Sequence, residues 1–363
     1  MKKILFLENE KYYKDLGVLR ELNKKYCLEF NGMKKYKIES EEIKSYDCII
    51  STLYTNPICN YIILKAKENR VKTILISDGI IEWANLFINP MQKKYNLKLY
   101  HPILHDIFLC LGDDECEYFN KYNKKVIKFM PSRIINNLKK IETPNLTRVL
   151  ITTSNTAYFS ELERDILVDI LKKVVNSLEE LNVDYIFRIY DEYLINSLNI
   201  NEYKNKIEPS FEEVLKDVGV VITTPSSISL NAMYHDRAVA HILYRDTPMF
   251  LQSGWVISNS YPVKDTIKSL ISKDEHRMNF QKYQVEKYLN ENLEKNKLEQ
   301  AIECDYELDM SESYIKFINQ NLYNTVNSRF NINIEFTVRQ VYLKLKQNKK
   351  INKFLKKIRN RMT

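Results

Sequence analysis

The run Val221 to Met233 (VITTPSSISLNAM) concentrates hydroxyl groups where an apolar strand gives way to a helix. Val221 and Ile222 end the strand, Thr223-Thr224-Pro225 breaks it, and Ser226-Ser227 opens the helix. A serine at the N-cap satisfies free backbone N–H groups, and the remaining N–H groups and the helix dipole favour an anion. One serine suffices for the cap, so Thr223, Thr224 and the second serine are in excess. The chemistry implied is phosphate binding; the plainer alternative is a capped helix with no ligand. Asp78-Gly79 follows another apolar strand. A carboxylate there can take a proton from a hydroxyl, and the glycine allows the tight turn that exposes it, although an ordinary Asp-Gly turn has the same sequence. Thr152 to Tyr158 (TTSNTAY) begins with Thr152, and its Ser154, Asn155 and Thr156 offer hydroxyls and backbone N–H groups beyond a third strand. Arg188, ending a fourth strand, could clamp a phosphate or carboxylate bidentately or make a surface ion pair.

Other chemistries lack their residues. There are only six glycines, which excludes any G-x-G-x-x-G or Walker loop and so disfavours dehydrogenases and P-loop NTPases. Six cysteines contain no C-x-x-C pair and read as reduced packing residues of a cytoplasmic protein. His101 and His105 (HPILHD) are four apart, but Pro102 argues against a metal-ligand pair on a helix; no metal site and no cofactor are expected.

The elements that must position these residues follow from apolar periodicity. Strands are predicted at Ile4–Leu7, Cys48–Ser51, Thr73–Ser77, Ile107–Leu111 and Val126–Phe129, with helices at Tyr13–Lys25, Ile58–Asn69 and Asp113–Lys121. After the polar stretch Glu142 to Asn145 a second series begins. Its strands are Arg148–Ile151, Tyr185–Ile189, Gly219–Ile222 and Val239–Leu243, with a long helix at Glu161–Leu181. Alternation of this kind predicts α/β architecture built from parallel βαβ units. In such sheets the carboxyl ends of the strands face the ligand crevice, where the candidate residues fall.

At 363 residues the chain suits two domains: 1–140, 146–330, and a tail at 331–363. The net charge of +8 is concentrated in Arg339 to Arg361, which carries ten Lys or Arg and no acid. The body is close to neutral, which argues against nucleic acid as a partner. The tail reads as a basic amphipathic helix for an anionic membrane surface, or as a helix packed across the domains. The start, MKKILFLENE, is a first strand and not a signal peptide.

A strand, a Ser-Ser pair opening a helix, then Ala232-Met233 and another strand resembles the donor half of GT-B glycosyltransferases that build bacterial surface polysaccharides. Sialyltransferases and Kdo transferases, which use CMP-sugars, pair this element with an acidic-Gly motif and a His-Pro motif. Ser77-Asp78-Gly79 matches the first, with Ser77 in place of an acid. His101-Pro102 lies in the first half, whereas the second reads Arg188-Ile189-Tyr190-Asp191 where His-Pro belongs. Asn231 stands where many relatives hold the ribose with a glutamate. The resemblance implies two Rossmann-like domains facing a cleft, with a helical C-terminal extension. It implies a nucleotide-sugar donor, held by Thr152, Ser154, Asn155, Thr156, Arg188, Thr224, Ser226 and Ser227. Asp78 would be the general base on a glycan acceptor, oligosaccharide or lipid-linked, bound near Glu82, Trp83, Asn85 and His101. The reaction would be metal-independent, at the inner face of the membrane. An epimerase, a polyol-phosphate transferase and a non-catalytic scaffold share the same plan.

Overall fold

A computed structural model describes residues 1–308 except 20–21, 36–37, 53–55, 94–98, 102, 122–124, 136–138, 146 and 290–296. The predicted membrane-binding tail, 331–363, lies outside the described residues, as does Pro102. Among the described residues, no helix is long and apolar enough to cross a membrane.

The first half holds six parallel strands: β1 (Lys3–Phe6), β2 (Cys27–Glu29), β3 (Cys48–Ser51), β4 (Lys72–Ile76), β5 (Ile107–Cys110) and β6 (Val126–Lys128). They lie in the order β2-β1-β3-β4-β5-β6. The second half holds β7 (Val149–Thr152), β8 (Tyr185–Arg188), β9 (Val220–Thr223), β10 (Ala238–Ile242) and β11 (Trp255–Ile257), ordered β11-β10-β9-β7-β8. Counted from the first strand of each half, both sheets run 2-1-3-4-5, the doubly wound order, and the first adds β6 at its edge. The expected pair of Rossmann-like units is therefore present.

The central strands are short runs of aliphatic residues buried on both faces, as helix-covered parallel sheets require. β3 (CIIS), β5 (IFLC), β7 (VLIT) and β9 (VVIT) are buried at every position. The helix Glu161–Glu180 covers the second sheet through Leu167, Ile170, Leu171, Val174 and Leu178, and the Ser160 hydroxyl caps it by accepting from the Glu163 N–H.

The structure corrects one expectation and adds two features that had none. The helix predicted at Tyr13–Lys25 is two pieces, Glu10–Leu16 and Leu22–Lys25. Gly17, at φ 79°, ends the first with its N–H on the carbonyls of Tyr13 and Lys14, the left-handed C-cap that favours glycine. The edge strands β2 and β11, three residues each, had no expectation at all. The last helices return to the first half. Leu298, Ala301 and Ile302 of the helix Lys297–Glu303 join the apolar cluster of Ile4, Phe6 and Ile74. Lys72 fixes this helix from below, its ammonium donating to the carbonyls of Ile302 and Cys304 at 2.6 Å each.

Candidate functional site

The two sheets present their carboxyl ends to one another across a cavity of about 270 Å³. From the first half, Asp78, Gly79, Ile80, Glu82 and Asn85 line it, all beyond β4. From the second half come Ser154 and Thr156 beyond β7, Pro225, Ser226 and Ser227 beyond β9, and Arg245 beyond β10. The β7/β9 junction is where the strand order of the second sheet reverses, the place where doubly wound sheets open a crevice.

The second wall is built around the helix Ser227–Tyr234. Ser226 is its N-cap in extended conformation, but no side-chain bond caps the first turn. The Ser226 Oγ is buried and has no hydrogen-bond partner among the described residues. A helix start whose cap hydroxyl is not spent on the helix keeps its donors and its dipole available to an anion. Thr224 sets the neighbouring loop, its Oγ1 accepting from the Ser154 N–H at 2.8 Å. Ser154 in turn donates to the Thr156 carbonyl at 3.2 Å.

The first wall carries two carboxylates in contrasting settings. Asp78 is half-exposed, with a side chain 49% accessible. The Tyr12 hydroxyl donates to its Oδ2 at 3.1 Å, and Arg133 lies 4.0 Å from the same oxygen while donating to the Asp78 carbonyl at 2.5 Å. Burial, followed by the Asp78 charge, raises the Tyr12 phenol well above its usual range, so this hydroxyl stays a donor. Glu82 is buried and pairs with Arg245 at 2.7 Å across the cleft. Burial raises its carboxyl and outweighs the lowering by Arg245.

Arg245 is the cation at the centre of the site. Its side chain is only 5% exposed, 3.6 Å from Glu163, with the guanidinium 4.5 Å from the Phe159 ring centroid. Its Nε makes no hydrogen bond among the described residues. A buried guanidinium with an unspent donor is a strong point for an incoming oxyanion.

The halves also touch directly. Ile80 N–H donates to the Ser227 Oγ at 3.2 Å, and a methyl group on Gly79 would come within 2.9 Å of that oxygen. A side chain at this position would therefore push the Ser227 hydroxyl out of its place against the Ile80 N–H. Nearby, Met249 N–H donates to the Ile81 carbonyl at 2.8 Å, and Met249 and Phe250 pack on the first half's core.

Asp78, Glu82, Asn85, Ser154, Thr156, Ser226 and Ser227 of the expected set thus share one cavity. The others lie elsewhere. Thr152 and Thr224 are fully buried; the Thr152 hydroxyl donates to the Arg188 carbonyl at 2.7 Å, so both shape the loops from beneath. Arg188 sits on the edge strand β8, its Nη1 on the carbonyls of Lys206 and Pro209 at 2.5 and 2.7 Å. Asn155 is exposed and off the cavity lining. Trp83 stacks on Phe87 at 5.8 Å, 22° from parallel. His101 binds the Leu99 carbonyl and the Tyr118 hydroxyl, at 2.9 Å each, inside an aromatic cluster. Asn231 donates from Nδ2 to the Ile134 carbonyl at 2.7 Å, bracing the segment between the sheets.

Arg133 and Arg245 had no expectation attached. Both follow the carboxyl end of a strand, Arg133 after β6 and Arg245 after β10, and that position was the available signal.

No protein-family model and no curated protein sequence matches the chain. Solved structures do. A Staphylococcus aureus MnaA–UDP co-structure aligns with TM-score 0.57 at 13% identity, over 83% of this chain and 96% of that one. UDP-GlcNAc 2-epimerase from Neisseria meningitidis, bound to UDP-GlcNAc, aligns at 0.54 and 15%, over 84% and 99%. The Methanocaldococcus jannaschii UDP-GlcNAc 2-epimerase, in complex with UDP-GlcNAc and UDP, aligns at 0.52 and 13%, over 76% and 94%. At these identities the likeness establishes the fold: a GT-B-like pair of Rossmann-like units.

Proposed function

We propose that this chain is a glycosyltransferase that moves a sugar from a nucleotide-sugar donor to a glycan acceptor. One observation carries the reading: a single cavity sets the half-exposed Asp78 carboxylate against a helix N-terminus and the Arg245 guanidinium. The donor phosphate lies at Ser226-Ser227, where backbone N–H groups and Arg245 stabilise the charge that builds on it as the glycosidic bond breaks. Asp78, held by Tyr12 and Arg133, takes the proton of the acceptor hydroxyl as its oxygen attacks the anomeric carbon, which inverts that carbon. Ser154 and Thr156 contact the donor from the neighbouring loop. The resemblance to sialyl- and Kdo-transferases favours a CMP-sugar; a UDP-sugar is the competing donor. The basic run Arg339 to Arg361 would bring the enzyme to an anionic membrane carrying a lipid-linked acceptor.

An epimerase is the second reading, favoured by the presence of two carboxylates, Asp78 and Glu82, on the same cavity wall. It completes its reaction on the donor alone. Thermal unfolding in CMP, CDP, UDP and GDP ranks the nucleotides. Incubation of the matching nucleotide-sugar in D2O without acceptor then separates the enzymes, since an epimerase incorporates deuterium into the sugar and a transferase does not. Asp78→Asn is expected to lower transfer about 10²–10⁴-fold with the nucleotide shift intact. No shift with any nucleotide sinks both readings and leaves a scaffold.

A further inference from the structure

A second, larger cavity of about 430 Å³ adjoins the first, and Arg133 lines both. We infer that it is the acceptor subsite and takes a neutral, hydroxyl-rich saccharide. The inference rests on the transferase reading and gives it a second substrate site, distinct from Glu82, Trp83, Asn85 and His101.

Space is the first argument. Binding sites for small organic ligands run to about 300–1,000 Å³, so 270 Å³ holds the reacting end of a donor and no second sugar chain. The larger cavity supplies that room on the far side of Arg133, whose guanidinium already donates to the Asp78 carbonyl. A sugar seated there is one side chain away from the proposed base.

Chemistry is the second. Among the described residues, the lining brings two cations, Lys14 and Arg133, and two anions, Asp15 and Glu212, over one apolar contact, Leu19. Lys14 and Asp15 are already paired along their own helix, with Glu10 at 2.7 Å and Lys11 at 2.5 Å. Asn23 and Glu212 make no bond to another described residue, so an amide and a carboxylate remain for a ligand. A balanced wall with both donors and acceptors suits hydroxyl groups, each of which donates and accepts; it does not select a phosphate or an acidic chain. Asn23 comes from the first half and Glu212 from the second, so the saccharide would span the halves as the donor does.

The test uses the full chain on a glycan array of neutral and acidic oligosaccharides, with nucleotide thermal shifts measured on the same samples. Neutral glycans are expected to bind, and Asn23→Trp, which fills the cavity from an exposed position, should weaken them at least tenfold. Glu212→Ala should weaken the same glycans several-fold, and both variants should keep the wild-type nucleotide shift. Unchanged glycan binding in both variants would overturn the subsite, as would exclusive capture of acidic glycans. A nucleotide shift without binding of any glycan would also overturn it and leave the donor site standing. Glycan binding lost in both variants, with no nucleotide shift in any sample, would overturn the acceptor role and the donor reading together and leave a saccharide-binding site alone.

Discussion

Arg245 holds its charge almost out of water at the cavity wall, paired with the nearly buried Glu82. Removing one member of a buried pair strands the other, at a cost of about 3–5 kcal/mol. Arg245→Met is therefore expected to lower stability by about that amount in urea titration, and Glu82→Gln added to it should recover much of the loss. If the single variant unfolds like the wild type, Glu82 is not relying on Arg245. Glu115 shows the opposite case, a buried carboxyl with no cation paired to it among the described residues. Burial pushes it up to about 7, against the pull of the Leu111 and Gly112 N–H groups and the Tyr288 hydroxyl. Because the folded value lies above the ordinary 4.5, its contribution is full below pH 4.5 and is lost as pH rises through 7. Between pH 5 and 7.5 the wild type should lose on the order of 2 kcal/mol relative to Glu115→Gln. Equal slopes for both proteins would refute the assignment.

The Ser226-Ser227 element was legible as part of the cavity wall because the Ser-Ser pair, the strand before it and the rule of carboxyl ends all agree on one place. Asp78 was legible for the same reason. What could not be read is which hydroxyls turn inward: Thr152 and Thr224 differ from Ser154 and Ser226 only by position on the pleat and loop, and packing decides. Arg188 fails as a site residue at this cavity because β8 is the sheet edge, which only strand order reveals. Equally hidden are the three-residue edge strands, too short to show a period. The pairing of Gly79 with Ser227 is testable at this scale. Gly79→Ala is expected to weaken nucleotide binding by displacing the Ser227 hydroxyl from the Ile80 N–H. Ser227→Ala in the same chain should relieve the clash, so a double-mutant cycle on nucleotide affinity should show coupling of about 1 kcal/mol. Strict additivity would mean the loops move freely.

Across the whole molecule, the halves are held by more than the linker. Met249 and Phe250 from the second half enter the first half's core, and Tyr288 of the helix Glu275–Leu289 lies against Gly112, where a methyl group would come within 2.8 Å of its ring. Deleting residues 290–363 is expected to expose the face of the first sheet that Leu298, Ala301 and Ile302 cover, and to free the Lys72 ammonium from its carbonyls. Hydrogen exchange should then accelerate in β1 and β4 but not in β7 and β9; uniform protection would show the return helix to be dispensable.

That return helix also sets an order of events during synthesis. The first sheet leaves the ribosome early, yet part of its covering is encoded beyond residue 297, after the whole second sheet. The amino-terminal half must therefore wait, with an apolar face uncovered, while its partner folds. It is the more exposed of the two to chaperones and to aggregation, and it reaches its finished core only when Ile302 arrives.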